Sequence, residues 1–525
     1  MRARVSVASV GILLLLGVCV ALATTAATHA ANDPPSEDGW SVRLRMPDLG
    51  VGLLDVELAL PRWASGREPR SLCLFMTDAG EFVRDVRLLE PPAGAQVAVD
   101  PEDHDCWLVR PSPQGVWPRR LAYRVDLKAM AARHGEPDYA EHIAATYAWN
   151  EQAVLMHPSP LPMQARIAIE LSLPANTPLA APWTEVPAPA GSSSRFFVSD
   201  GPQHDLGSYV VFGPRLRSLG TLGLPSGKPT QAVGASARLY LIDLPHRAGD
   251  ETLRTWMQGA LGAVSSFYGE LMPKEVMVTL VPMGSSSDPG IYGSVLRPLR
   301  PSALIYFGGG GSEQMNLHDD WLATHELFHI GNPFIKGRLP WLVEGFTTYY
   351  QEVLRARAGA LRSDETWDGL LRMLDRYCQP QGGRSLADDS QSMRQTHRYQ
   401  RVYWGGACIA LGLDVAIRAR ASRASGRAGA ASLAEPRSLD DVVRRLRRDS
   451  LSKPLTEAEI LAALDAAAGD RMATRLLHET RSIPVADWLR KLGVRRDSAG
   501  SPAAGASSVR FDDQAPLAAI RRALF

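Results

Sequence analysis

The stretch from Asp319 to Gln351 reads DDWLATHELFHIGNPFIKGRLPWLVEGFTTYYQ, and it decides both the fold and the chemistry that we expect. On an α-helix, positions four apart lie on one face, so His325 and His329 can direct both imidazoles at one ion. Glu344 follows on what we predict to be a second helix. Two imidazoles and one carboxylate are a ligand set for catalytic zinc that leaves one coordination position open. We therefore predict that His325, His329 and Glu344 bind zinc.

The helix signals around this motif support the prediction. Asp319 and Asp320 suit the N-terminus of a helix, because acidic side chains stabilise the first turn. The sequence Gly-Asn-Pro at 331–333 ends that helix just after the second histidine. Pro340 then opens the next helix. The HExxH motif thus lies on a short helix with a clear start and stop.

Glu326 is the predicted general base. It cannot easily bind the same ion as its histidine neighbours, but it can take the proton of the attacking water. The oxyanion that develops on the substrate needs a further hydrogen-bond donor. The residues themselves leave four candidates open: Tyr349, Tyr350, Tyr403 and His318.

HELFH followed by WLVEGFTTYY resembles the gluzincin metallopeptidases, and most closely the glycyl aminopeptidase-like group. The resemblance continues through YWGGACIALGLDVAIR and covers roughly residues 230–494. It implies a thermolysin-like α+β zincin catalytic domain with a helical C-terminal lobe. It also implies that Tyr403, which matches the tyrosine of a Tyr-x-Lys-Gly-Ala setting, is the transition-state donor. Gly405 stands where that setting has lysine.

Upstream of this domain, the pattern of residues predicts an all-β sandwich over residues 38–216. Short apolar alternations such as VGLLDVELALP and ARIAIELSLP are broken by proline and glycine, which is typical of antiparallel strands and turns. A segment rich in Gly, Pro and Ser, residues 219–236, is interpreted as a linker. The last segment, residues 495–525, is interpreted as a linker-like tail that ends in a short helix, Gln514 to Leu524. The chain is therefore expected to be multidomain.

The N-terminus predicts export. Arg2 and Arg4 precede an apolar run that is followed by small residues, which is typical of a signal peptide, here residues 1–31. The alternative is an uncleaved N-terminal membrane anchor, because the run is long for a cleaved signal. We expect a periplasmic or secreted protein. Export places the later cysteines in an oxidising compartment.

Four cysteines follow the signal, and they fall into an N-terminal and a C-terminal pair: Cys73 with Cys106, and Cys378 with Cys408. This pairing is the natural one of three connectivities, and buried free thiols are the alternative. A formal charge of +1 and 22% charged residues give no electrostatic reason to expect nucleic acid or an acidic membrane as partner.

The predicted function is that of a zinc-dependent peptidase that acts on peptide or protein substrates. One alternative is an aminopeptidase acting on free N-termini. The resembling aminopeptidases hold the substrate amino group with a glutamate on an edge strand, and the corresponding segment here, Gly290 to Leu296 (GIYGSVL), has no acid. The other alternative is a non-catalytic envelope protein that retains zinc and binds peptides.

Overall fold

In a computed structural model of the chain, the described residues are 40–61, 71–134, 138–159, 165–201, 207–225, 235–297, 300–310, 315–425, 436–496 and 509–525. The predicted signal peptide lies outside them. The chain divides into two compact units, the first comprising Met1–Thr177 and Trp183–Leu206, and the second Pro178–Pro182 and Gly207–Phe525. The second unit thus begins at Gly207, whereas the sequence placed the end of the first domain at residue 216 and the start of the catalytic domain at 230.

The strands in chain order are β1 Trp40–Arg45, β2 Leu53–Ala59, β3 Ser71–Cys73, β4 Val83–Leu89, β5 Gln96–Val99, β6 Cys106–Arg110, β7 Arg120–Asp126, β8 Ala140–Ile143, β9 Thr146–Asn150, β10 His157–Ser159, β11 Ala165–Ser172, β12 Leu179–Ala180, β13 Thr184–Val186, β14 Arg195–Gly201, β15 Tyr209–Phe212, β16 Leu216–Gly223, β17 Ser236–Ile242, β18 Glu275–Met283, β19 Tyr292–Leu296, β20 Ser302–Gly308, β21 Val494–Arg496 and β22 Val509–Phe511.

The α-helices in chain order are α1 Leu127–His134, α2 Glu151–Val154, α3 Asp250–Tyr268, α4 Leu322–Phe328, α5 Pro340–Arg357, α6 Ser363–Tyr377, α7 Leu386–Gln391, α8 Met393–Thr396, α9 Tyr399–Ser425, α10 Leu439–Ser450, α11 Glu457–Ala468, α12 Met472–Leu477, α13 Val485–Leu492 and α14 Ala518–Leu524. Most of the helical residues belong to the second unit.

The first unit is rich in β-structure. Its largest sheet has the strand order β13-β14-β11-β1-β2-β7-β4, and a smaller sheet has the order β10-β3-β6-β5. Alternate residues of β1 and β2 are buried, which is the period-two pattern that the sequence predicted. The expected purely antiparallel arrangement is wrong at one place, because β1 and β11 are parallel. The first unit also contains two helices, α1 and α2, which the all-β prediction did not include.

The second unit contains a five-stranded sheet in the order β16-β17-β18-β20-β19. The three central strands are parallel and the two outer ones antiparallel. Seven consecutive residues of β18 and all of β20 are buried, as central parallel strands require. Apolar side chains from one sheet face pack with those of α3 and α4, among them Val278, Ile305, Trp256 and Leu327.

Two segments that the sequence marked as linkers are structured where they are described. Residues 216–223 form β16, which pairs with β17 and buries Leu219 and Leu222. Near the C-terminus, β22 pairs with β21, and α14 buries Leu524 in the core of the second unit. The linker prediction is wrong for residues 219–223, because two buried leucines outweigh the surrounding small residues. Helix α14 lies within the short helix expected at Gln514 to Leu524, but it is docked on the core.

The remaining helices of the second unit surround α9. By length and hydropathy α9 could cross a membrane, but 83% of its apolar window is buried inside the protein, which makes it the central helix of the helical region. A disulfide joins Cys408 on α9 to Cys378, just after α6. In the first unit, Cys73 and Cys106 lie opposite each other on β3 and β6 and form the other disulfide. The pairing is the one favoured by the sequence.

Candidate active site

Asp320 fixes the start of α4, the helix that carries His325. His329 follows at the C-terminal end of α4, where a short 3₁₀ helix, His329–Gly331, begins. Its carboxylate accepts hydrogen bonds from the backbone N–H groups of Leu322 at 3.0 Å and Ala323 at 2.9 Å. The indole N–H of Trp256 on α3 donates to it at 2.9 Å. Burial raises the pKa of Asp320, although the three donors act in the opposite direction. The carboxylate therefore caps α4 and ties it to α3.

His325, His329 and Glu344 come together in space. Nε2 of His325 lies 3.4 Å from Oε2 of Glu344, and Nε2 of His329 lies 3.5 Å from the same oxygen. Zinc bonds of about 2.0–2.1 Å at tetrahedral angles separate two ligand atoms by roughly 3.3 Å. The three side chains therefore have the donor types that zinc requires, and the two distances to Glu344 are close to those of a tetrahedral site. Among the described residues, this is the one group of three such side chains that could hold a metal ion.

The far side of the His325 ring determines which nitrogen faces the cluster. Its Nδ1 lies 2.8 Å from Oε1 of Gln351, and the amide Nε2 of Gln351 donates to Glu352 at 3.0 Å. Because the Gln351 amide is oriented by that carboxylate, its oxygen accepts the proton on Nδ1. The lone pair of Nε2 is then free for a metal ion.

His329 has a different partner. Its Nδ1 lies 3.0 Å from the amide nitrogen Nδ2 of Asn332, which follows it by one turn, whereas an amide oxygen faces Nδ1 of His325. Asn332 is buried and also contacts Thr347 on α5 at 3.2 Å. A side-chain amide therefore supports each histidine ring, and both amides lie beside the helix that supplies Glu344.

The electrostatics of the cluster favour a cation. Burial alone would raise the pKa of Glu344, but the two neighbouring histidines outweigh it and hold that pKa far below its usual range. Burial would likewise lower the pKa of His325, but Glu344 and Glu326 reverse the effect and raise it. A carboxylate that stays charged while buried needs positive charge beside it, and a divalent cation supplies that charge.

Glu326 lies beneath the edge strand β19. A Cβ on Gly293 would come within 2.3 Å of Cγ of Glu326, so only glycine lets the strand pass this close. Gly290, just before the strand, approaches Asp320 and Leu322 in the same way. The segment therefore runs along α4. It is the strand that the sequence identified as the edge strand without an acidic residue, and β20 is its partner in the sheet.

Three of the four candidate donors point away from the ligand cluster. The Tyr349 hydroxyl donates to Asp414 at 2.9 Å, and the Tyr350 hydroxyl bonds to Asp440 at 3.0 Å. These bonds tie α5 to its neighbouring helices. His318 is exposed and its Nδ1 lies 2.8 Å from Asp319. None of these three groups is placed to serve a reaction at the cluster.

Tyr403 is the candidate that lies at the cluster. Its ring stacks on that of His325, with centroids 6.0 Å apart, and its hydroxyl interacts with Glu344. Burial raises the pKa of Tyr403 well above its ordinary value, and the charges of Glu344 and Glu326 raise it further. The hydroxyl therefore keeps its proton at neutral pH and can donate a hydrogen bond.

A glycine contact brings Tyr403 and Glu344 together. A Cβ on Gly345 would lie 2.4 Å from Cα of Gly406, and one on Gly406 would lie 2.1 Å from the carbonyl oxygen of Trp341. Helices α5 and α9 therefore cross with their backbones in contact. A Cβ on the adjacent Gly405 would meet side-chain atoms and no backbone, with Nη1 of Arg401 at 2.2 Å and Cδ1 of Leu386 at 2.7 Å.

The sequence did not single out Gln351 or Asn332. Gln351 follows Glu344 by seven residues, which places both on one face of α5, so helical spacing offered a signal for it. Asn332 had been assigned only to the stop after α4. Nothing in the residues alone indicated that its amide would contact His329, because that contact depends on the turn that follows the helix.

Known proteins resemble this chain in two ways. A family model described as M61 glycyl aminopeptidase matches residues 332–406, a segment that holds Glu344 and Tyr403. An aminopeptidase N family protein from Idiomarina loihiensis has a similar structure, with a TM-score of 0.65, 16% identity, and coverage of 87% of this chain and 79% of that one. No match was found among curated proteins.

A second similar structure is an M1 zinc metallopeptidase from Deinococcus radiodurans, with a TM-score of 0.55, 15% identity, and coverage of 89% of this chain and 96% of that one. A mutant M1 zinc metallopeptidase from the same organism was crystallised with a Tyr-Ser-Ala substrate and has a TM-score of 0.54, 16% identity, and coverage of 85% of this chain and 94% of that one. At this identity the likeness concerns the fold. Together with the family match, it confirms the resemblance to gluzincin metallopeptidases that the sequence carries.

Proposed function

We propose that this protein is a gluzincin metallopeptidase that hydrolyses peptide bonds with a zinc ion held by His325, His329 and Glu344. The observation that carries the proposal is that Oε2 of Glu344 lies 3.4 and 3.5 Å from Nε2 of the two histidines, close to the separation of two ligand atoms on tetrahedral zinc, with Glu326 and Tyr403 beside them. A site with a purely structural role has no need of a general base or of an additional hydrogen-bond donor.

Each residue has one role in the reaction. Zinc, when bound, acts as a Lewis acid and lowers the pKa of water. Glu326 accepts a proton from the attacking water and passes it to the amine that leaves when the C–N bond breaks. Tyr403 donates a hydrogen bond to the carbonyl oxygen as negative charge develops on it. Gln351 and Asn332 hold the two imidazoles in orientation.

The finer description of the fold is part of this proposal. We assign the second unit to the thermolysin-like type, supported by the ligand helix α4 beneath a sheet with an antiparallel edge strand and by the third ligand on the next long helix, α5. We assign the β-rich first unit as a sandwich, supported by its two sheets with alternately buried strands.

We also propose that the protein is exported to the periplasm or secreted. The support is the N-terminal sequence with Arg2, Arg4 and an apolar run, together with the two disulfides. Cytosolic thiols are kept reduced, so two structural disulfides fit an oxidising compartment better.

Removal of residues from free N-termini is the form of peptidase activity that the family match supports. The edge strand Tyr292–Leu296 carries no acidic side chain to hold an ammonium group. Peptides with free and with acetylated N-termini therefore need to be compared directly. Cleavage of the free peptides alone would assign an aminopeptidase, whereas equal cleavage of both would assign a peptidase that does not require the amino group.

The test of the mechanism is a pair of substitutions. Glu326→Gln should abolish hydrolysis while the bound zinc, measured by mass spectrometry of metals, stays near one ion per chain. Glu344→Ala should lower the zinc content itself, because it removes a ligand. The matched control is Glu251→Gln on α3, where the carboxylate is 88% exposed. Retained turnover in the first variant would contradict the role of Glu326, and no turnover by the zinc-loaded parent would favour the non-catalytic peptide-binding alternative.

A further inference from the structure

Exposed apolar side chains border the ligand cluster on the side where β19 approaches α4. Trp321 lies one turn before His325, and its ring meets the imidazole edge-on with centroids 5.7 Å apart. Nevertheless, 45% of Trp321 is exposed. Trp321 thus contacts a proposed metal ligand while nearly half of its surface is open to solvent. This surface is apolar and can contact a substrate bound at the site.

The neighbouring segment adds two more side chains. Gly290 lies against Asp320 and Leu322, which flank Trp321, and Gly293 lies against Glu326. Ile291 and Tyr292 lie between these two contacts and are 39% and 43% exposed. We call Ile291, Tyr292 and Trp321 the aromatic rim.

Tyr292 is placed beside the site by the residue that follows it. Gly293 lies against the side chain of Glu326, and a Cβ on it would come within 2.3 Å of Cγ of that glutamate. The ring of Tyr292 also contacts that of Tyr306 on the adjacent strand, with centroids 5.8 Å apart. The rim is therefore continuous with the reacting end of the site and is anchored to the sheet.

No residue of the rim carries a charge. Two acidic residues precede Trp321, and both are engaged by other groups. Asp319 lies 2.8 Å from Nδ1 of His318 and accepts a hydrogen bond from the amide of Asn316 at 3.1 Å. Asp320 accepts hydrogen bonds from the backbone of α4 and from Trp256. The side chains of the rim itself therefore offer apolar surface.

We propose that the aromatic rim binds a large apolar side chain, preferably an aromatic one, of the substrate residue next to the scissile bond. This inference rests on the proposed peptidase function and names the class of its substrates. Tyr and Trp rings stack on aromatic and aliphatic groups and lose little conformational freedom when they do. A pocket of this type discriminates a large apolar side chain from a methyl group by roughly 10- to 100-fold.

The test uses binding, so that it does not depend on turnover. Zinc-loaded Glu326→Gln protein is titrated calorimetrically with Ala-Ala-Ala, Phe-Ala-Ala, Ala-Phe-Ala and Ala-Ala-Phe. At least one phenylalanine peptide should bind roughly tenfold more tightly than trialanine. Adding Trp321→Ala should bring that ratio close to one, with zinc content measured on the same samples. Tyr292→Ala should reduce the ratio as well.

Leu451→Ala is the matched control, because Leu451 is an equally exposed apolar side chain just after α10. It should leave the ratio unchanged. Equal binding of all four peptides, or a ratio that survives both Trp321→Ala and Tyr292→Ala, would overturn the inference. Cleavage of a peptide mixture by the parent protein separates this failure from that of the proposed function. Cleavage without preference for large apolar residues would support the proposed peptidase function and contradict the role of the rim. Absence of cleavage together with a phenylalanine preference in binding would contradict the peptidase function and support the role of the rim.

Discussion

In the proposed mechanism, the surroundings of Tyr403 suit it to donate a hydrogen bond. Burial raises the pKa of its hydroxyl, and the carboxylates of Glu344 and Glu326 raise it further, so that the hydroxyl keeps its proton at neutral pH. A tyrosinate there would repel the negative charge that develops on the substrate. The same environment that makes deprotonation costly therefore preserves the hydrogen bond.

We expect Tyr403→Phe to lower kcat by about 100- to 1,000-fold, the usual loss for one oxyanion donor, with a smaller change in KM. Zinc content should stay the same, because the hydroxyl is not a ligand. Steady-state kinetics and metal analysis check both expectations. Tyr399→Phe, one turn earlier on α9 and partly exposed, is the control and should retain parent activity. A loss of less than threefold in Tyr403→Phe would remove this residue from the chemistry.

At the scale of helices, the crossing of α5 and α9 matters most. Glu344 belongs to one helix and Tyr403 to the other, and the two meet only because Gly345 and Gly406 let the backbones touch. Helix axes in ordinary packing lie about 8–10 Å apart, with side chains between them. A methyl group at the crossing would separate the helices and move the tyrosine away from the ligand cluster.

Gly345→Ala should therefore destabilise the protein by about 1–3 kcal/mol through overpacking and lower kcat at the same time. Gly369→Ala on α6 is the matched control, since a Cβ there meets no atom within 4 Å. That change should increase stability by about 0.5–1 kcal/mol, because alanine favours the helix. Chemical denaturation measures the stability of both variants, and steady-state kinetics measures their kcat. Equal effects of the two substitutions would refute the role of the crossing.

At the scale of the whole molecule, a histidine in the first unit has a different pKa in the folded and the unfolded protein, which makes stability depend on pH. His157 on β10 is buried between the rings of Phe75, at 5.0 Å, and Trp40, at 6.0 Å. Neither ring nitrogen has a hydrogen-bond partner among the described residues. Burial lowers the pKa of His157 from 6.5 to about 3. Native His157 therefore stays neutral at pH values where the unfolded chain binds a proton.

The sign of the pH effect follows from that difference. Above pH 6.5 both states are neutral at this position, and stability is unaffected by it. As pH falls from 6.5 towards 3, only the unfolded chain takes up the proton, so the free energy of unfolding decreases by about 1.4 kcal/mol for each pH unit. His157→Phe should flatten this dependence. Urea unfolding at pH 4.5 and 7.5 measures it, and parallel losses in the parent and the variant would contradict the prediction.

The sequence by itself determined the parts of this protein that depend on near neighbours. The spacing of His325 and His329 places both on one helical face, because the helix period is fixed by the backbone. The capping function of Asp320 and the position of Glu344 on the next helix follow from similarly local signals. The buried strands of the second sheet were recognisable from their apolar runs, and the cysteine pairs from their grouping along the chain.

The tertiary structure alone decided the rest. Tyr403 could not be separated from Tyr349, Tyr350 and His318 by the pattern of residues, and only a resemblance to a family pointed to it. What distinguishes it is the contact between α5 and α9. The parallel pair β1 and β11, the strand β16 in a supposed linker and the docking of α14 on the core were not predictable from the residues either. Each depends on a partner distant in sequence, and the free energy of such a contact is a property of both surfaces, which local periodicity in either segment does not contain.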